Sequence, residues 1–186
     1  PGFMSVMSLL IHAVGHVQCC MNDSAQSLVA FSSLSPDCVL DALQSVGMYS
    51  DGRLLALNSY ENRVYQVGME DGPPVVVKFY RPARWSDAAI LEEHAFVREL
   101  AEAEIPVVPA LALQDGQTLQ HFAGFRFAVF PRHGGRAPEL DDGATREWLG
   151  RFIGRIHALG MRQHFVDRPA IDVHTFGIAP RDELLA

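Results

Sequence analysis

The sequence is short of positive charge. Fifteen lysine and arginine residues against 22 aspartate and glutamate leave a formal net charge of −7, so it lacks the basic footprint by which nucleic-acid-binding proteins neutralise phosphates. Cysteine is scarce as well: Cys19, Cys20 and Cys38 form neither an even disulfide framework nor a metal-ligand spacing, which fits a reducing cytoplasm better than a secreted scaffold. Of the eight histidines, His12 and His16 come closest to a ligand pair, and no further ligand accompanies them. Long apolar runs are missing. The stretch Val6 to Val17 is too short to span a bilayer comfortably and lacks both basic residues before it and an A-x-A pattern after it. Neither nucleic acid nor a membrane is therefore expected as a partner.

What is present is a globular composition, 48% hydrophobic and 20% charged, sufficient for one ordinary domain or two small lobes. Asn58 to Pro82 is its most informative stretch. Arg63 to Met69 alternates Val64 and Gln66 with Tyr65 and Val67, Glu70-Asp71-Gly72-Pro73-Pro74 is dense in turn formers, and Val75 to Tyr80 resumes a strand, which predicts a β-hairpin. Period-two alternation puts Val76, Lys78 and Tyr80 on one face. The lone lysine there needs an anionic partner or water, unless it is a gatekeeper charge guarding an edge strand.

The following helix supplies a candidate partner. Ser86 is its expected N-cap and Asp87 lies in its first turn. At about 100° per residue Ile90, Phe96, Val97, Leu100 and Ala101 gather on one side, with Glu92, Glu99 and Glu102 opposite. Glu93 falls on the apolar side, where a carboxylate must pair, be neutralised or bend out to solvent. A strand lysine paired with a helix glutamate is the arrangement protein kinases use to hold ATP phosphates.

The strings L-N-S-Y-E-N-R-V-Y-Q-V, V-V-V-K-F-Y-R-P-A-R-W, I-L-E-E-H-A-F and F-A-V-F-P-R-H-G-G-R resemble, in order and spacing, the bacterial stress response kinase A family. That family is similar to aminoglycoside phosphotransferases and choline kinases and shares the protein-kinase architecture. The resemblance starts near Met21, since Met21 to Ala25 is similar to the family's own start, and residues 1–20 read as an upstream extension. It implies an α+β fold: an antiparallel sheet lobe over 21–131 carrying the Lys78 and Glu93 pair, a hinge over 132–138, and the opening of a helical lobe over 139–186, expected to be truncated.

It also implies an ATP-dependent serine/threonine protein kinase that works with magnesium on a protein substrate. The tip Asn58 to Asn62, glycine-rich in protein kinases, holds no glycine here; Ser59 and Asn62 are its candidate nucleotide contacts, and the resemblance implies that Ser59 touches ATP. An ordinary polar turn reads equally well. Phe130 opens the connection Pro131 to Arg136, where the resemblance places the adenine-bonding hinge through main-chain groups. The family's aspartate-bearing catalytic loop and metal-binding aspartate are absent, so no catalytic or metal residue is expected within these residues. The chain is expected to be inactive alone. Two alternatives stand beside this reading: a small-molecule kinase of the aminoglycoside or choline type, and a non-catalytic nucleotide-binding or interaction module.

Elsewhere, Ser35-Pro36-Asp37 announces a helix whose apolar face is Val39, Leu40, Leu43 and Val46, closed by Gly47. Strands are expected at Arg53 to Leu57, Ala110 to Leu113, Thr118 to His121 and Phe125 to Phe130. A second helix, Thr145 to Leu159, is capped by Asp141-Asp142 and stripes Leu149, Phe152, Ile153, Ile156 and Leu159 on one face. That face is expected to stay exposed for want of a partner, and Gly150 and Gly154 to admit a close neighbour. His157 reads as structural. From Met161 the chain is expected to be irregular until a helix begins at Ala179.

Overall fold

The computed structural model describes residues 31–135, 138–170 and 172–185; the expectation for residues 1–20 lies outside them. They form two compact units, one from residues 31–94 and 108–133, the other from 95–107 and the described residues after 133.

The first unit is built on a five-stranded antiparallel sheet. Its strands are β1 (Ser50–Leu57), β2 (Arg63–Met69), β3 (Val75–Tyr80), β4 (Gln120–Phe122) and β5 (Phe125–Pro131), in the order β1-β2-β3-β5-β4. Helix α1 (Pro36–Ser45) precedes them. Its start follows the sequence: the Ser35 side chain accepts from the Cys38 N–H at 3.1 Å with proline at the first helical position, and Gly47 turns the chain away at φ +78°.

Alternation along β3 divides its side chains between two apolar clusters. Val75, Val77 and Phe79 bury with Phe125, Phe127 and Val129 of β5 and with Val39 and Leu43 of α1. Tyr80 on the other face joins Ala128, Leu119 and Ile90, with Trp85 and Phe130 half-buried around them. Ile90 belongs to α2 (Asp87–Glu102), whose entry is fixed by the Ala89 N–H donating to Ser86 Oγ at 3.1 Å. Lys78 shares the face of Tyr80, so the sheet itself aims it toward α2.

Three strand expectations change. β1 begins at Ser50, with a register irregularity between Ser50 and Leu54. Ala110 to Leu113 is extended but is no strand: Leu111 donates to the Val129 carbonyl at 2.8 Å and Leu113 to Gln117 at 3.0 Å, without a ladder. β4 starts at Gln120 and continues through Phe122, because the reversal needs only Ala123 and Gly124, at φ +48° and +82°. Such a two-residue turn with both φ positive suits the twist of a hairpin.

In the second unit, the later part of α2 packs with α3 (Gly143–Gly160). Leu100, Ile105 and Leu159 are buried, with Phe96, Val107, Phe152 and Ile156 around them. The Asp142 carboxylate accepts the Thr145 N–H at 2.9 Å, which holds its pKa below the ordinary carboxylate value. The expected exposure of the α3 stripe is corrected: Leu159 is buried and Leu149, Phe152, Ile153 and Ile156 are half-buried, since Leu100 and Ile105 provide a core. Exposed apolar side chains occur later instead, at Met161, Phe165, Val166, Val173, Ile178, Leu184 and Leu185. No described atom lies within 4 Å of a Cβ built on Gly150 or Gly154, so neither receives a close neighbour among the described residues.

The terminal helix starts at Ala179 as expected, but the stretch before it is not wholly irregular. A wide π-type turn (His174–Ile178) leads directly into α4 (Ala179–Leu185). Thr175 N–H donates to Asp172 Oδ1 at 2.7 Å, and the Ala179 N–H reaches back to the His174 carbonyl. The widened turn lies just before Pro180, which has no N–H to continue a regular ladder.

Candidate functional site

The site begins with the chain's only lysine. Lys78 sits in a central strand, opposite Val64 of β2 and Ala128 of β5, so the edge-gatekeeper reading does not apply. Its Nζ lies 3.4 Å from Glu93 Oε1, and the two side chains retain 17% and 19% exposure. It also stands 4.6 Å from the centroid of the Tyr80 ring, a cation–π distance. The separation from Glu93 is long for a charge-assisted hydrogen bond. The ammonium is thus held by one loose carboxylate contact and an aromatic face, with part of its surface open to a ligand.

The tip joining β1 and β2 is tied to the segment after β3. Ser59 Oγ donates to the Asn62 carbonyl at 2.8 Å. Asn62 Oδ1 accepts the Arg81 N–H at 3.1 Å. Glu61 Oε1 accepts from Trp85 Nε1 at 3.0 Å and lies 3.4 Å from Arg84 Nε. A tip without glycine is shaped here by side-chain bonds. Asn62 acts through its amide on protein backbone, while the Ser59 hydroxyl is half-buried and keeps lone pairs for a further donor.

Phe130 lies opposite Val76, packs beside the cluster of Tyr80 and Ile90, and meets the His94 ring edge-on at 6.2 Å between centroids. Its side chain is a wall of the apolar cluster. Lys78, Glu93 and Phe130 therefore converge around one sheet face, and Ser59 and Asn62 belong to the tip at the Arg81 end of β3.

The residue missed from the sequence is His94, 6% exposed. Tyr80 Oη lies 2.7 Å from its Nε2 and Thr118 Oγ1 lies 2.8 Å from its Nδ1. The signal was available: Ile90, His94, Val97 and Ala101 recur at helical spacing, placing the histidine on the buried stripe itself. Among the described residues no group of three or more His, Cys, Asp or Glu is placed to hold a metal. No described helix is long and apolar enough to cross a membrane.

Sequence and structure comparisons bear on the family and the fold. The chain is 48% identical over 161 residues to stress response kinase A of Escherichia coli (strain K12), covering 87% of this chain and 48% of that relative. It is 45% identical over the same span to the serine/threonine protein kinase RdoA of Salmonella typhimurium (strain LT2), again covering 48% of the relative's length. The chain thus spans about half the length of the curated relatives it matches. Among solved structures, amicoumacin kinase hAmiN, in complex with AMP-PNP, Ca2+ and Ami, aligns with a TM-score of 0.59 at 27% identity, over 72% of this chain and 42% of that one. A microcompartment-associated aminopropanol kinase aligns at 0.60 and 23% identity, over 77% and 48%, which establishes likeness of fold. Both support the kinase-like α+β architecture. Residues 53–181 match the phosphotransferase enzyme family, APH, and with the match running from β1 into α4, the chain belongs to that family.

Proposed function

We propose that this chain is the nucleotide-holding part of an ATP-dependent phosphotransferase that acts in the cytoplasm on serine or threonine of a protein substrate. The observation that carries the reading is the Lys78–Glu93 contact at 3.4 Å in a central strand of the sheet. Lys78 supplies the charge for ATP phosphates and Glu93 keeps it extended toward them. Ser59, with the main chain of the 58–62 tip, covers the phosphates. Asn62 holds that tip against Arg81. The chain following Phe130 bonds adenine through backbone groups. Magnesium would neutralise phosphate charge in the intact reaction.

The serine/threonine substrate is supported by the relative named serine/threonine protein kinase RdoA. A second reading, a small-molecule kinase, is favoured by the likeness to amicoumacin kinase. Calorimetric titration with ATP tests the shared element. Binding is expected, and Lys78→Ala is expected to weaken it about ten- to hundredfold, the loss of one charge-assisted phosphate contact. Equal affinity of the two proteins would remove Lys78 from the site. Phosphoryl transfer by this chain alone is not expected, because Asp142 is engaged as the cap of α3 and the sequence carries no aspartate-bearing catalytic loop of the family's kind. Radiolabel incorporation into a protein substrate above the Lys78→Ala level would contradict that.

A further inference from the structure

We propose that His94 is a positioning residue that sets the register between α2 and β3 and so holds Glu93 against Lys78. The inference rests on the nucleotide-site reading for its purpose, though not for its geometry. Lys78 and Tyr80 are two apart on β3 and share a face; Glu93 and His94 are consecutive on α2. The strand and helix consequently meet at two neighbouring rungs of unequal quality. Lys78 to Glu93 is 3.4 Å long and partly solvated, whereas Tyr80 to His94 is 2.7 Å and buried. His94 continues to Thr118 at 2.8 Å, anchoring the helix to the chain just before β4 as well as to β3.

Buried hydrogen bonds are costly to leave unmade, while a contact as long as 3.4 Å between two flexible side chains fixes their geometry less closely than a short bond does. The short buried rung therefore dictates where the helix sits, and the loose rung follows it. Tyr80 belongs to both: its hydroxyl meets His94, and its ring lies under the Lys78 ammonium at 4.6 Å. The Phe130 ring against His94 closes the imidazole in from the β5 side. A shift of α2 that opened the Tyr80 rung would carry Glu93 from Lys78 along with it.

The single lysine permits a direct test. Protein made with 13C-labelled lysine gives one lysine side-chain signal, and Glu93→Gln defines that signal with the ion pair removed. Thr118→Val and His94→Gln are expected to move the Lys78 resonance toward its Glu93→Gln position, although neither touches the lysine, and to weaken ATP binding about two- to tenfold, the range for one lost hydrogen bond. Thr118→Val is close in shape and guards against loss of fold in the histidine variant. A wild-type Lys78 signal in folded Thr118→Val and His94→Gln overturns the inference whatever ATP does. Absence of ATP binding by the unaltered chain overturns the nucleotide reading instead, and leaves the lysine signal to decide the role of His94.

Discussion

At the scale of single residues, burial separates the side chains that maintain the sheet from those that face a ligand. Phe127 is fully buried and stacked on Phe79 at 5.4 Å between centroids; Lys78, next to Phe79 on the strand but on its other face, is partly open. Phe127→Ala removes an aromatic ring from the interior without touching a polar group. It is expected to lower the unfolding free energy by about 3–5 kcal/mol, measured by urea denaturation. A loss below about 1 kcal/mol would show that the site collapses around the missing ring, or that the cluster beneath β5 is less well packed than its burial indicates.

At the scale of elements, helix starts were the most legible feature, because capping is local chemistry that the sequence displays directly. Ser35, Ser86 and Asp142 all make the side-chain bond that their positions suggest. The Asp142 cap carries a pH dependence whose sign is fixed. Its folded pKa is lowered, first by the Thr145 N–H and then by the Thr145 hydroxyl. The contribution to α3 is therefore complete above the unfolded aspartate value of about 3.9 and is lost as pH falls through the lower folded value. Asp142→Asn keeps the cap and removes the titration. Circular dichroism between about pH 5 and 2 is expected to show a shallower acid loss of stability in that variant; parallel curves for the two proteins would refute the assignment. Less legible were features set by partners distant in sequence. Ala110 to Leu113 has strand composition, yet it makes a bond to β5 beyond the end of β4, Leu111 N–H to the Val129 carbonyl, and does not extend it into a ladder. His94 escaped notice because its value lies in Tyr80 and Thr118, fourteen residues before it and 24 after. The Lys78–Glu93 contact was legible for the opposite reason: two charges on apolar faces of consecutive elements have few places to go.

At the scale of the whole molecule, the described residues hold three apolar clusters, and α2 contributes to two of them. Ile90 belongs to the cluster with Tyr80 and Ala128, and Leu100 to the one with Ile105 and Leu159. Cores in separate compact units can open at different free energies. Leu159→Ala should then expose the difference: it removes a buried side chain from the second unit, at a cost of about 2–5 kcal/mol to that unit, and leaves the sheet clusters intact. Native-state hydrogen exchange is the suitable measurement because it resolves opening element by element. Faster exchange is expected in α3 and in the last turns of α2, with protection in β3 and β5 unchanged. Equal acceleration across β3, β5 and α3 would mean that the two units unfold as one, and that the shared helix transmits the loss of Leu159 to the strand that carries Lys78.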